Sequence, residues 1–558
     1  MASYDLVILG ATPGGIMAAV AASRVSNGTA KVLLLDRNTH IGGLPANGLG
    51  ATDIGTRSAT AGLFQEFVNR VKQHYVDTYG AGSKQVADSS NGYHFEPKVA
   101  LKVLQGFLDE VKGCVEVKLQ RQFDAESAYA VVSDGMLRKI RVLDRSGNQE
   151  EWYAGKYFVD ATYEGDLIGA AGIPYFLGRE SNTTYNEMGA GVVYKYWNGP
   201  ETDGTTHQGD DTIQSFNYRL SVTKDPTNVH MIPKPDNYNR SEYVSIIADI
   251  ITGCHTGIKA KNYCPRTPGD PNIRPKIPGQ PNGIWRLINP VLLPNNKFDG
   301  NNQQLAFLST DLPEENWPYP TANWTWRDEF DARLRSYTLG LFYFAQNDKE
   351  VPKWFRDDIK SWGLAKDEYE DNDFFPRQVY VREGRRLHGE YIFTSKDARP
   401  ANEVPGARPP IHSDSITSSH YALDSHAVRK REDGRANLDG MVSYRTQPYT
   451  VPYGVMVPIR NAGVSNVLAP VPVSGSHIGF STLRMEPCWM ALGQAAGTAA
   501  ALLLHEGGTA AVHDINIDTL QMSLLHQNAI LIHIPGLQSL NDKERIRRQW
   551  RLLKGRDP

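Results

Sequence analysis

Apolar and polar positions alternate with three different periods along the chain, and each period predicts its own kind of element. Residues 4–9, Y-D-L-V-I-L, are almost continuously apolar, as in a short strand covered on both faces, and Lys31 to Leu35 repeats the pattern. Between them an Ala-rich stretch to about Ser23 predicts a buried helix. Residues 59–75 place Leu63, Phe64, Phe67, Val68 and Val71 on one helical face, and a second helix is expected from about Lys98 to Val111. From Val115 to Trp152 the period shortens to two, which predicts an antiparallel meander, and Tyr157 to Thr162 reads as a further buried strand. Phe330, Leu334, Tyr337, Leu341 and Phe344 mark one long helix. Val451 to Gly454 and Val464 to Val473 read as strands, Ala495 to Leu504 as an Ala-rich helix, and Asp542 to Lys554 as a basic surface helix.

Strands alternating with helices at both ends of the chain predict an α/β, Rossmann-like domain built from two separated pieces. Composition shifts between about Leu177 and Thr450, where Pro and Gly punctuate the sequence and aromatics gather at Trp317, Tyr319, Trp324 and Trp326. That stretch suits an inserted α+β substrate domain, since linkers lack such aromatics. The expected organisation is residues 1–176 and 451–512 as one nucleotide-binding domain, 177–450 as a cap, and 513–558 as a helical tail. Length supports more than one core: 558 residues exceed what a single ordinary core holds.

A net charge of −3 with 22% charged residues argues against nucleic acid as a partner. No apolar run reaches the roughly 20 residues of a bilayer span, so no membrane span is expected. Strand-like sequence begins by Tyr4, so no leader is read, although an exported chain supplied without its leader reads the same. Four cysteines make no metal-ligand spacing, and no metal is expected; Cys254 and Cys264 are spaced for one loop bridge. Oligomeric state is open.

The chemistry starts at Gly10-Ala11-Thr12-Pro13-Gly14-Gly15, between the first strand and the first helix. Glycines there let the backbone approach a pyrophosphate, the helix N-terminus offers N–H groups, and Asp36, closing the second strand, is placed to take ribose hydroxyls. Thr12 stands where the strict G-x-G-x-x-G fingerprint has its middle glycine. Asn38 to Gly55 holds five glycines and a proline, a composition that suits a backbone wrapped closely against a flat ligand. Arg377 to Arg386, with four arginines in ten residues, reads as strand-like and as an anion site, or as guanidiniums paired with local acids.

These motifs, in this order, resemble the FAD-dependent oxidoreductases of the glutathione-reductase fold. Within them the chain is similar to a family with an H-hydrophobic-G-G-L…G-L-G-x-T-D-x-G loop, here His40 to Gly55, and an S-H…R-M-E-P…G-Q-A-A-G block, here Ser476 to Gly497. Phe95-Glu96-Pro97, Asp160-Ala161-Thr162 with Gly165-Asp166-Leu167, and Tyr380-Val381-Arg382-Glu383 with Arg385-Arg386 belong to the same likeness. The resemblance implies FAD held by Gly10, Thr12, Pro13, Gly14, Gly15, Asp36 and Arg37. It implies the loop residues Gly42, Gly43, Leu44, Asn47, Gly48 and Leu49 beside the isoalloxazine, with Asp160, Ala161 and Thr162 near the nucleotide. Gly493, Gln494, Ala495 and Ala496 are implied at a helix N-terminus facing the flavin's pyrimidine end, where negative charge develops on reduction.

The chain is accordingly expected to be an enzyme that oxidises a small polar organic molecule by hydride transfer, with oxygen or another acceptor taking the electrons. No second dinucleotide unit is read, which weighs against a monooxygenase driven by NAD(P)H. A non-enzymatic binding protein is a third reading, opposed by the largely intact glycine turn. His477 is the candidate proton acceptor, or a histidine hydrogen-bonded in a turn. Arg484 and Glu486 are candidates to orient substrate or flavin, or a local pair capping the next helix; Arg382 and Arg385 are weaker candidates for a substrate carboxylate, and Tyr453 weaker still. His40 is placed for covalent attachment of FAD or, in the preferred non-covalent case, for a hydrogen bond near it. Cys488 lacks a C-x-x-C partner, so disulfide reduction is disfavoured.

Overall fold

The computed structural model describes residues 2–556 apart from 196–198, 253–282 and positions 305, 403, 405 and 436; the Cys254 and Cys264 pair lies outside the described residues. Strand β1 (Ala2–Leu9), helix α1 (Pro13–Val25) and strand β2 (Val32–Leu35) form the expected opening unit, with Leu6 to Leu9 paired in parallel to Val32 to Leu35. Helices α2 (Leu63–Tyr79) and α3 (Pro97–Val111) cover one face, and Phe67 meets Phe95 edge to face at 5.3 Å. Strand β3 (Val115–Lys118) then adds to β2 in parallel, so the meander begins after it rather than at Val115.

Strands β4 (Met136–Asp144) and β5 (Gln149–Asp160) show why two expected strands are one. The first half of β5 pairs antiparallel with β4, while Tyr153 to Asp160 runs parallel to Ala2 to Leu9 of β1. Near its end it takes Val467–Leu468 as a further parallel neighbour. The chain thus returns, some 300 residues later, to the sheet it left.

The intervening region builds a second sheet, wholly antiparallel, in the order Val229–His230, Gly363–Ala365, Leu220–Thr223, Lys297–Asn302, Ile288–Leu293. Helix α4 (Trp324–Asn347) belongs to the same region of the chain. Asn323 caps this helix by accepting the Trp326 N–H at 3.0 Å, and the five apolar positions from Phe330 to Phe344 are all buried. Fully burying one such side chain contributes about 1.5–3 kcal/mol. The Arg377 to Arg386 stretch is not a continuous strand: Tyr380 makes an isolated bridge to Asn217, and Arg386–Leu387 pairs with Tyr175–Phe176.

The C-terminal block differs most from expectation. Ser476 caps a short helix, His477–Leu483, by accepting the Gly479 N–H, and α5 (Glu486–His505) follows at once. It starts nine residues before Ala495. Gly493, Gln494, Ala495 and Ala496 therefore lie within the helix, not at its N-terminus, and all four are buried. A Cβ on Gly493 would stand 2.0 Å from the Gly14 carbonyl oxygen, and one on Gly497 at 2.0 Å from that of Ala18. These glycines let α5 touch α1 backbone to backbone. By length and apolarity α5 also meets the test for a membrane span, but 89% of its apolar window is buried inside the protein, as in a core helix.

Candidate functional site

The glycine turn is shaped by what presses on it. Gly10 has φ +99°, and a Cβ there would lie 2.5 Å from the Ala161 carbonyl oxygen at the end of β5. Thr12 explains its own departure from the fingerprint: its hydroxyl donates to Ala161 O at 2.8 Å and accepts the Gly15 N–H at 3.2 Å, capping α1 with Pro13 in the first turn. Asp36 accepts the N–H of Ala11 at 2.7 Å and of Asn38 at 2.8 Å. A carboxylate has about four lone-pair sites, so hydroxyl donors still find room.

Around this turn lies a cavity of about 320 Å³, walled by Gly10, Thr12, Asp36, Arg37, Thr162 and Tyr163 on one side and by Trp324, Asp328 and Asp331 of α4 on the other. Arg37 stacks on Trp324 at 4.1 Å and pairs with Asp328 at 2.6 Å. Thr162 lines the cavity, whereas the Asp160 carboxylate faces its own loop, accepting from Thr162 and from the Ile168 N–H. Burial pushes Asp160 up to about 6.

The Gly42 to Gly50 loop is buried throughout and packs under this turn, with the Gly42 N–H donating to Ala11 O. A Cβ on Gly43 would meet the Tyr163 hydroxyl at 2.2 Å, and one on Gly48 the Arg219 carbonyl oxygen at 1.8 Å. Tyr163 accepts the Leu44 N–H at 3.1 Å and donates to Glu486 at 2.5 Å. Burial pushes Glu486 up to about 8, and its second oxygen is buried without a partner. Asn47 bridges Gly43 O and the Nε2 of His40. Burial holds the His40 ring down to about 4, and its Nδ1 has no partner.

Beyond the loop, side chains from both regions converge. Asp299 accepts the N–H groups of Gly50 and Ala51 and pairs with Arg219 at 2.5 Å; Arg219 also faces Asp53 at 3.7 Å. Arg484 donates to the Tyr380 hydroxyl at 2.6 Å and to Asp424 O at 2.7 Å, and lies 3.6 Å from the Asp424 carboxylate. Arg219, Arg382 and Arg484 approach one ring, Tyr380, at 6.0, 4.8 and 5.7 Å. Tyr421 faces the same charges. The Nε of Arg484 and one oxygen of Asp424 are buried without hydrogen-bond partners. Asp53 keeps 24% of its side chain exposed, and burial of the rest raises it above the ordinary carboxylate value despite Arg219.

The sequence-predicted residues divide here. Arg484 and Glu486 join this site as expected of neighbours, but Glu486 pairs with Tyr163 rather than with Arg484. His477 is held at both nitrogens, Nδ1 by Glu383 at 2.9 Å and Nε2 by Ser425 at 3.0 Å. Although burial opposes it, His477 keeps Glu383 below the usual carboxylate range. All four arginines of the Arg377 to Arg386 stretch are paired: with Asp371, with Asp311, with Asp166, and with Glu180 and Glu383. Arg382 and Arg385, expected at an anion site, are instead engaged by Asp311 and Asp166 from remote parts of the chain, because buried guanidiniums need carboxylates. Tyr453 donates to Val512 O, and burial pushes the Cys488 thiol up to about 12, which leaves it unreactive. Sequence reasoning misses Asp53, Arg219, Tyr380, Tyr421 and Asp424. Asp53 is visible inside the G-L-G-x-T-D-x-G loop and Tyr380 beside Arg382; the other three carry no sequence signal.

A dinucleotide fits these residues. Gly10 and Thr12 of the turn and Asp36 after β2 line one cavity, and among the described residues unpartnered polar atoms lie buried at His40, Asn47 and Glu486. The family model described as FAD dependent oxidoreductase matches residues 5–524. A search of curated proteins finds no match. Among solved structures, bacillithiol disulfide reductase from Bacillus cereus matches at 14% identity and TM-score 0.19, covering 29% of this chain and 40% of that one. The 3-ketosteroid-delta4-(5alpha)-dehydrogenase from Rhodococcus jostii matches at 16% identity and TM-score 0.20, covering 32% and 50%. Glycerol-3-phosphate dehydrogenase from Bacillus halodurans, complexed with FAD, matches at 10% identity and TM-score 0.22, covering 34% and 42%. The chain therefore spans half or less of each of these proteins.

Proposed function

The chain belongs to the FAD-dependent oxidoreductase family, and we propose that it oxidises a small polar organic molecule where Asp53, Tyr380, Asp424 and Arg484 converge beside the glycine loop. The arrangement is of the glutathione-reductase type. When bound, FAD supplies a two-electron acceptor for the hydride leaving the substrate carbon, and oxygen or another acceptor takes the electrons onward. Gly10, Thr12, Asp36 and Arg37, which line one cavity, would hold its nucleotide half, with Gly14 in the helix turn behind them. The glycine loop would offer main-chain groups to the other half.

The convergence of Asp53, Tyr380, Asp424 and Arg484 beside that loop carries the reading. Arg484 and the Tyr380 hydroxyl hold the oxygen or nitrogen of the reacting carbon, with the Nε of Arg484 as the spare donor. Asp53, raised by burial yet partly exposed, takes the proton released from that heteroatom. The Glu383, His477 and Ser425 chain fixes the strand Leu423–Ser425 that presents Asp424. His477 is a positioning residue in this scheme.

Anaerobic mixing of the yellow holoprotein with a panel of alcohols, amines and sugars tests it, with NADPH as a separate sample. Bleaching of the flavin band by an organic compound is the expected result. Bleaching by NADPH alone favours the monooxygenase, and a colourless protein that cannot take up FAD overturns the enzyme reading. A yellow pellet after acid precipitation would show covalently attached flavin and raise His40 as its site.

A further inference from the structure

The cavity around the glycine turn has a wall that the dinucleotide-binding unit does not supply. Helix α4, from the inserted region, places Asp331 on that wall opposite Asp36 and Thr12, and one Asp331 oxygen is buried without a hydrogen-bond partner. Three further carboxylates line the same cavity: Glu164, Asp166 and Asp328. Asp166 is neutralised by Arg327 at 2.7 Å and Arg385 at 2.8 Å, and Asp328 by Arg37. Asp331 has no such ion pair among the described residues. An ionised carboxylate there would face both its acidic neighbours and the diphosphate of the bound dinucleotide, whereas a carboxylic acid has a proton to donate.

We propose that Asp331 is a cofactor-binding residue contributed by the inserted region, and that it meets the dinucleotide as a neutral acid donating a hydrogen bond. This rests on the reading of the cavity as the FAD site. Burial, with Asp328 and Glu164 adding to it against Arg37 and Arg327, pushes Asp331 up to about 8. Arg335 and Arg377 also line the wall. Binding of an anionic ligand raises the group further, so affinity is retained while Asp331 is protonated and falls as pH climbs past its value in the free protein. The state that binds is the one holding the proton.

The test is FAD affinity of the deflavinated full chain, read by flavin fluorescence from pH 6.5 to 9.5. Wild-type protein is expected to bind FAD about tenfold more weakly at pH 9 than at pH 7, since a group titrating near 8 passes from mostly protonated to mostly ionised in that interval. Asp331→Asn keeps a neutral donor, so its neutral-pH affinity stays within a few-fold of wild type and the decline around pH 8 disappears; any step left by Glu164, pushed up to about 7 by burial and Asp166 in the same cavity, lies below it. Asp331→Ala weakens binding at pH 7 as well. A wild-type affinity that is flat with pH, or an Asp331→Asn variant that keeps the wild-type slope, overturns the assignment. Failure to bind FAD at pH 6.5 overturns it together with the enzyme reading. FAD binding with the expected slope but no bleaching by any compound leaves Asp331 standing and fails only the enzyme reading.

Discussion

Glu486 and Asp53 are two carboxyl groups in one site that burial drives upward for different uses. Glu486 is wholly buried, bonded to Tyr163, and raised from 4.5 to about 8. Its folded form therefore holds a proton that the unfolded chain has lost, so between roughly pH 5 and 8 stability falls as pH rises. Glu486→Gln is expected to flatten that descending limb in urea titrations of the apoprotein across the same window. Asp53 keeps contact with solvent and can pass a proton on. Asp53→Asn is expected to slow anaerobic flavin reduction by about 10²–10⁴-fold while FAD affinity stays unchanged, the loss typical of a removed general base. Thr12 serves the turn through two bonds, and Thr12→Ala is expected to lower unfolding free energy by about 0.5–2 kcal/mol, as for other lost helix caps.

Among the elements, the contact of α1 with α5 has the least tolerance. Gly14 faces Gly493, and Ala18 faces Gly497, across backbone atoms with no room for a methyl group. Gly493→Ala must push the two helices apart, and α1 carries the glycine turn at its N-terminus. The expected result is a loss of about 1–3 kcal/mol or more, typical of overpacking, with a lower FAD content in purified protein measured from the visible band. A sequence pattern of small residues near a flavin motif invites a cofactor role. Here the same residues serve helix packing, because α5 begins at Glu486 and not at Ala495. The arginine stretch shows the same limit, since spacing reveals four guanidiniums but not the acids that fold against them from remote parts of the chain.

In the whole molecule, the inserted region and the nucleotide-binding sheet are joined by buried charge. Asp166, just after β5, receives Arg327 of α4 in two bonds and Arg385 in a third. Trp324 donates to Phe123 O at 2.7 Å beside it. Asp166→Asn would leave two buried guanidiniums without their carboxylate, and the expected cost is about 3–5 kcal/mol, read as a lower urea midpoint. The same latch forms the wall opposite Asp36, so FAD affinity is expected to fall with it.

The opening strand, glycine turn, helix and acid are legible in the sequence because they are local: period, turn residues and spacing lie within thirty-odd residues. The family resemblance and the FAD site rest on several such local motifs in order. The long helix of the inserted region is equally legible, since one face of it is apolar from Phe330 to Phe344. Which of its polar residues face the cavity is not. Asp331, Arg219, Tyr421 and Asp424 sit in stretches without motif, and they come together because two sheets and α4 close on one another across hundreds of residues. Pairing and burial are properties of neighbours in space, and they settle whether a given arginine is a free anion hook or one half of a buried pair.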